Sequence, residues 1–222
     1  MDILAQYQQV KNTLPSNVKL VAVSKFHPVE KIQAVYEGGQ RIFGESRAQE
    51  LCNKTSLLPS DIEWHFIGHL QTNKIKHVIP HVSLIHGVDT FHLLAEIDKE
   101  SGKANKVTRC LLQMHIAQEE TKFGLSEQEL YDLLTSESFR QMKHVQVCGL
   151  MGMASNTDNM DKVRNEFRGL KQLFDKTKKH FFAETPSFCE LSMGMSHDYT
   201  IAIEEGSTMV RIGTSIFGER EY

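Results

Sequence analysis

The sequence predicts an α/β fold, a single (β/α)8 TIM barrel spanning residues 1–222, with the first helix covering the gap left by a missing last one. Three observations predict it. Eight short, apolar, strand-like runs recur with an even rhythm; helix-period segments lie between them; and no linker-like or low-complexity stretch interrupts the series. Strands alternating with helices imply βαβ units and a parallel sheet. A chain of 222 residues is long enough for one core and just long enough to close a barrel. A doubly wound open sheet is the competing architecture for the same alternation.

The elements follow in order. DILAQYQQVKNTL (2–14) is amphipathic and precedes the first strand, KLVAVSK (19–25), whose β-branched run reads as buried. Pro28 suits the first helical position, where its missing N–H is no loss. In VEKIQAVYEGG (29–39), Val29, Ile32 and Val35 line one face and Gly38–Gly39 supplies the stop. RIFGE (41–45), EWHFIGH (63–69) and SLIHGVD (83–89) are strands two to four. FHLLAEIDKESGK (91–103) leads to strand five, TRCLLQMHI (108–116). SEQELYDLLTSE (126–137) opens with Ser126 and Glu129 at capping-box spacing. Strand six is VQVCGLMGMA (145–154), followed by the long helix 161–180 with Val163, Phe167, Leu170 and Phe174 on one stripe. CELSMGM (189–195) and TMVRIGT (208–214) complete the set, separated by a short helix that Asp198 caps and Gly206 ends. SIFGEREY then leaves no room for an eighth outer helix, and the segment 2–14 fills that place because strands one and eight are neighbours in a closed barrel.

Composition excludes several function classes. With a net charge of −3 and no basic stripe, there is no footprint for nucleic acid. KTKKH (176–180) complements the dipole of a last helical turn. No apolar stretch is long enough to span a bilayer, and the N-terminus lacks a signal-peptide pattern. Cys52, Cys110, Cys148 and Cys189 are scattered without a C-x-x-C pair, as thiols in a reducing compartment would be. A cytoplasmic protein without membrane partners is the expectation. No metal site is expected either: His65 and His69 share a strand face, but at roughly 3.3 Å per residue they stand too far apart for one ion. His77, His81 and His86 straddle Pro80 without ligand spacing. Met151, Met153, Met193 and Met195 read as barrel-core packing.

Chemistry concentrates at the strand ends. Lys25 closes the first strand, on the loop side where such folds place their sites, and a primary amine there can form a Schiff base with an aldehyde. A snorkelling surface lysine is the plain alternative. Loops after strands seven and eight often bind phosphate. Here they carry Ser196, with a hydroxyl; Gly213, which lets backbone approach a ligand; and Thr214, with an N–H and a hydroxyl. Arg211, two residues before Gly213, points to the same side of the strand, into the barrel mouth. Singly these read as a capping serine, a turn glycine and a buried arginine paired to a carboxylate. Together with Lys25 they make an amine opposite a phosphate cradle, the pattern that pyridoxal 5′-phosphate (PLP) demands.

VAVSK (21–25), FGES (43–46), WHFIGHLQTNK (64–74), CGLMGMA (148–154), ELSMGMSHD (190–198) and VRIGTSIFGER (210–220) occur in the order of one family's motifs. By these the chain resembles the pyridoxal phosphate homeostasis proteins, single-domain relatives of the alanine racemase N-terminal barrel, from about residue 19 to the end. The resemblance implies PLP held as a Schiff base on Lys25, its phosphate bound by Ser196, Gly213 and Thr214, and Arg211 facing the pyridine nitrogen. A cation there disfavours ring protonation and weakens the ring as an electron sink. The sequence departs from the family's pattern at Ser46 and Arg47, where Asn and an aromatic usually follow FGE, and at His115, where Asn is common.

The resemblance implies a non-catalytic PLP-binding protein of intracellular vitamin B6 homeostasis, a monomer or weak dimer, with apo PLP-enzymes as recipients of the cofactor. The alternative is a PLP-dependent amino-acid racemase. That reaction needs an acid/base on each face of the α-carbon, and the related racemase takes its second base from a further domain that this sequence is not expected to have. Among the tyrosines only Tyr199, after the strand-seven loop, is placed to substitute.

Overall fold

The strand-like runs pair in chain order, and the last returns to the first. In the computed structural model, which describes residues 2–117 and 123–219, the strands are β1 (Lys19–Val23), β2 (Ile42–Glu45), β3 (Glu63–Phe66), β4 (Leu84–Val88), β5 (Thr108–Met114), β6 (Val145–Gly152), β7 (Glu190–Ser192) and β8 (Met209–Ile212). They close into one parallel barrel in the order β1 to β8. Closure runs through Lys19↔Met209, Leu20↔Val210, Val21↔Arg211 and Ala22↔Ile212. The (β/α)8 reading holds, and the open sheet does not.

Every strand but β2 is shorter at its carboxyl end than its apolar run. The final residues of those runs, Lys25 and Met195 among them, instead enter the turns of the barrel mouth. Between strands lie α1 (Ile3–Thr13), α2 (Val29–Glu37), α3 (Ala48–Thr55), α4 (Ile75–Val78), α5 (Phe91–Lys103), α6 (Glu127–Thr135), α7 (Glu137–Gln141), α8 (Met160–Phe181), α9 (Tyr199–Glu204) and α10 (Thr214–Phe217). Ser126 and Glu129 form the expected capping box at the start of α6. Ser136 then splits the 126–137 segment by capping α7. Gly38 caps α2 and Gly39 follows at φ 101°.

Two cap assignments change. Pro28 is the N-cap of α2 and not its first helical residue: at ψ 161° it is still extended. Asp198 heads α9 without capping it, because its carboxylate Oδ1 accepts the Met195 N–H at 2.6 Å.

The first helix closes the outer ring as expected. It packs on α2 and α10, its Tyr7 hydroxyl donates to Gln40 at 3.4 Å, and Thr13 Oγ1 lies 3.1 Å from the Tyr199 hydroxyl. Alternation along each strand divides the core in two. Leu20, Ala22, Phe43, Trp64 and Phe66 pack under the helices. Val21, Leu84, Leu111, Cys148, Met151 and Met209 fill the barrel interior. Continuing the inward phase of β1 through Val21 and Val23 carries Lys25 to the mouth.

Candidate functional site

Lys25, Ser196, Arg211, Gly213 and Thr214 line one cavity of about 210 Å³ at the carboxyl end of the barrel. Three loops bring them there: the turn after β1, the β7–α9 loop and the β8–α10 junction. Gly213 is what allows the first and last to meet. A Cβ at this position would stand 3.1 Å from the Val23 carbonyl oxygen and 3.2 Å from its Cβ. Its N–H donates to Ser196 Oγ at 3.3 Å, tying the β7–α9 loop to the β8–α10 junction. Thr214 and Ser215 open α10, where first-turn amides have no acceptor within the helix. The carboxylate of buried Asp198 braces the turn that carries Ser196. Gly194, at φ 99°, brings the chain so close to α9 that a Cβ would lie 2.6 Å from that of Ala202.

Arg211 is buried, but not against a carboxylate. Its Nη1 donates to the Ser192 carbonyl at 2.9 Å and to Ser192 Oγ at 2.6 Å, and its Nη2 donates to the Gly152 carbonyl at 3.1 Å. These use three of a guanidinium's five N–H donors. Burial pulls its pKa down to about 10, with Asp198 opposing, so the group stays cationic at neutral pH.

Behind it runs a chain of polar groups through the barrel interior. Ser192 Oγ lies 3.0 Å from His86 Nδ1, and His86 Nε2 lies 2.9 Å from His65 Nδ1. Burial holds both imidazoles neutral, His65 at about 3 and His86 well below the usual range. Since Arg211 can only donate, the arrangement that satisfies the Ser192 hydroxyl proton sends it to His86 Nδ1; His86 then donates to His65.

Several residues fall elsewhere. His65 and His69 share no strand face: β3 ends at Phe66, and His69 sits on the rim 3.1 Å from Asp89. Met151 and Met193 are core, as expected, but Met153 and Met195 line the cavity. The Tyr199 hydroxyl engages Thr13 of α1 and not the cavity. The Arg47 guanidinium lies 4.5 Å over the ring of Phe26, and Ser46 packs its backbone against Gly68. Both belong to a larger cavity of about 500 Å³ beside α3, which contains none of the five residues above. Strand alternation shows that His65, His86 and Ser192 each face inward, but nothing in the sequence links the three.

The sequence profile described as the alanine racemase N-terminal domain matches residues 2–221. The pyridoxal phosphate homeostasis protein of Aquifex aeolicus is 43% identical over 205 residues, covering 92% of this chain and 88% of its own length. The chain belongs to the pyridoxal phosphate homeostasis protein family. Members carry the name of a homeostasis protein and not that of an enzyme. PipY of Synechococcus elongatus, solved without PLP, superposes with a TM-score of 0.91 at 32% identity over 98% of this chain and 100% of its own. The same protein with PLP bound gives 0.88. The family's barrel also matches alanine racemase from Bartonella henselae at a TM-score of 0.71, covering 98% of this chain and 58% of that one; at 17% identity this is a likeness of fold alone.

Proposed function

We propose that this chain is one PLP-binding domain that holds the cofactor on Lys25 and serves intracellular PLP homeostasis without turning over a substrate. The observation that carries the reading is the convergence of the Lys25 amine, the linked loops of Ser196, Gly213 and Thr214, and the Arg211 cation in one cavity. The donor set fits the group: open first-turn amides and hydroxyls suit a phosphate. Arg211 has two N–H donors beyond its three protein bonds and no acceptor to offer, so it suits an unprotonated ring nitrogen. Bound there, PLP supplies an aldehyde that condenses with the amine and releases one water. That PipY has been solved with PLP bound supports PLP as the ligand here.

A racemase reading needs a second proton-transferring group. Among the described residues no tyrosine lines the cavity; His197 is the remaining titratable side chain there besides Lys25 and Arg211. Incubating the PLP-loaded protein with L-alanine in deuterium oxide decides between the readings. Absent or slow α-proton exchange supports the carrier, and rapid exchange with appearance of D-alanine overturns it.

Among the described residues no helix is long and apolar enough to cross a membrane. A cytoplasmic location, a monomeric or weakly dimeric state and delivery to apo-enzymes complete the proposal. Transfer to an apo-transaminase faster than free dissociation is the result delivery requires.

A further inference from the structure

Lys25 sits in the turn after β1, and the hydrogen bonds of its neighbours Ser24 and Phe26 lead away to residues of β2 and α3. There they meet a buried ion cluster. Lys54, in the last turn of α3 and only 5% exposed, donates to the Ser24 carbonyl at 2.8 Å, to Glu45 Oε1 at 2.8 Å and to Glu50 Oε1 at 2.6 Å. These use all three of an ammonium's protons. The Ser24 hydroxyl donates to the same Glu45 oxygen at 2.5 Å. On the other side of Lys25, the Phe26 N–H donates to the same Glu50 oxygen at 2.6 Å. Phe26 is held at φ 69°, a left-handed conformation that a bulky side chain adopts only when its surroundings impose it. Arg47 covers its ring.

We infer that Lys54 is a positioning residue for Lys25, clamping the main chain on both sides of it so that its amine stays aimed into the cavity. The inference rests on the reading of Lys25 as the PLP anchor. A buried ion cluster adds little net stability over apolar packing; what this one supplies is geometry. It reaches residues 24 and 26 from one point behind the strand and leaves residue 25 to the mouth. Released, Phe26 would still have the turn bond from the His27 N–H to the Ser24 carbonyl, at 3.1 Å, to hold its positive φ, but the bond that orients Lys25 would be freer to swing.

The test separates anchoring from pocket integrity. Covalent capture is followed as the borohydride-trapped mass on the Lys25 peptide against time of exposure to PLP. Pocket integrity is followed as binding of pyridoxine 5′-phosphate, which keeps ring and phosphate but lacks the aldehyde. For Lys54→Met combined with Glu45→Gln, so that no buried charge is stranded, capture slows about tenfold or more. Binding of pyridoxine 5′-phosphate stays within about twofold. Capture at the wild-type rate in a folded variant overturns the inference. So does an equal loss of both readouts, which would mark a merely structural residue. If the double variant fails to fold, Glu50→Ala decides: it keeps the bonds of Lys54 to Glu45 and to the Ser24 carbonyl, removes its third bond and the one from the Phe26 N–H, and the same split between readouts is required. A wild-type protein that captures no PLP would instead defeat the proposed function itself.

Discussion

Arg211 Nη1 donates to both the carbonyl and the hydroxyl of Ser192, at 2.9 and 2.6 Å. One small residue on β7 thus holds the guanidinium in plane and passes its hydroxyl proton on to His86. Ser192→Ala keeps the carbonyl bond but leaves a guanidinium N–H and His86 Nδ1 without partners in a buried site. Destabilisation of about 1–3 kcal/mol is expected. Chemical denaturation measures it, and an unchanged midpoint would show that water replaces the hydroxyl.

Removing the cation itself has a spectroscopic consequence. In Arg211→Gln nothing opposes protonation of the ring nitrogen. The visible absorbance of the bound cofactor should become pH-dependent across the neutral range, where that of the wild type stays flat. Spectral titration of both proteins checks this.

Gly213→Ala addresses the phosphate cradle. The added methyl would stand 3.1 Å from the Val23 carbonyl oxygen, so the turn after β1 and the β8–α10 junction must give by a few tenths of an ångström where the cradle is built. Affinity for pyridoxine 5′-phosphate should fall about tenfold, or about 1.4 kcal/mol, while affinity for pyridoxal, which lacks the phosphate, changes little. Calorimetric titration with the two ligands separates them.

Glu45 ties stability to pH. It is fully buried, and its Oε2 has no hydrogen-bond partner among the described residues; that burial outweighs Lys54 and Ser24 and lifts the carboxyl from 4.5 to about 7. Between those values the folded chain holds a proton that the unfolded chain has released. The contribution is therefore fully present below pH 4.5 and is lost as pH rises through about 7. Melting temperatures of the wild type, compared with Glu45→Gln from about pH 5 to 8, should show the wild type losing ground as pH rises. A gain would mean that the pull of Lys54 outweighs burial.

Much of the fold was legible because its signals are local. Apolar strand runs, the Val163–Phe174 stripe and the Ser126–Glu129 box need only near neighbours in sequence. So do the glycine and hydroxyl pattern after β7 and β8 and the lysine closing the first apolar run, and all five predicted residues meet in one cavity. What escaped depends on distant partners. Asp198 reads as a helix cap until the Met195 amide claims it. Lys54 has the look of a surface charge until α3 lays it against Glu45 of β2 and the Ser24 carbonyl. His86 and Ser192, 106 residues apart, show no relation in sequence. The short helices α3, α4 and α10 carry too few turns for a periodic signal.

The central claim is a covalent bond between PLP and the side chain at position 25. Reducing the loaded protein with borohydride, digesting it and weighing the peptides tests it most directly. The account predicts that the reduced pyridoxyl mass sits on the peptide carrying Lys25 and disappears in Lys25→Ala. Label on another lysine, or retained by that variant, would contradict it.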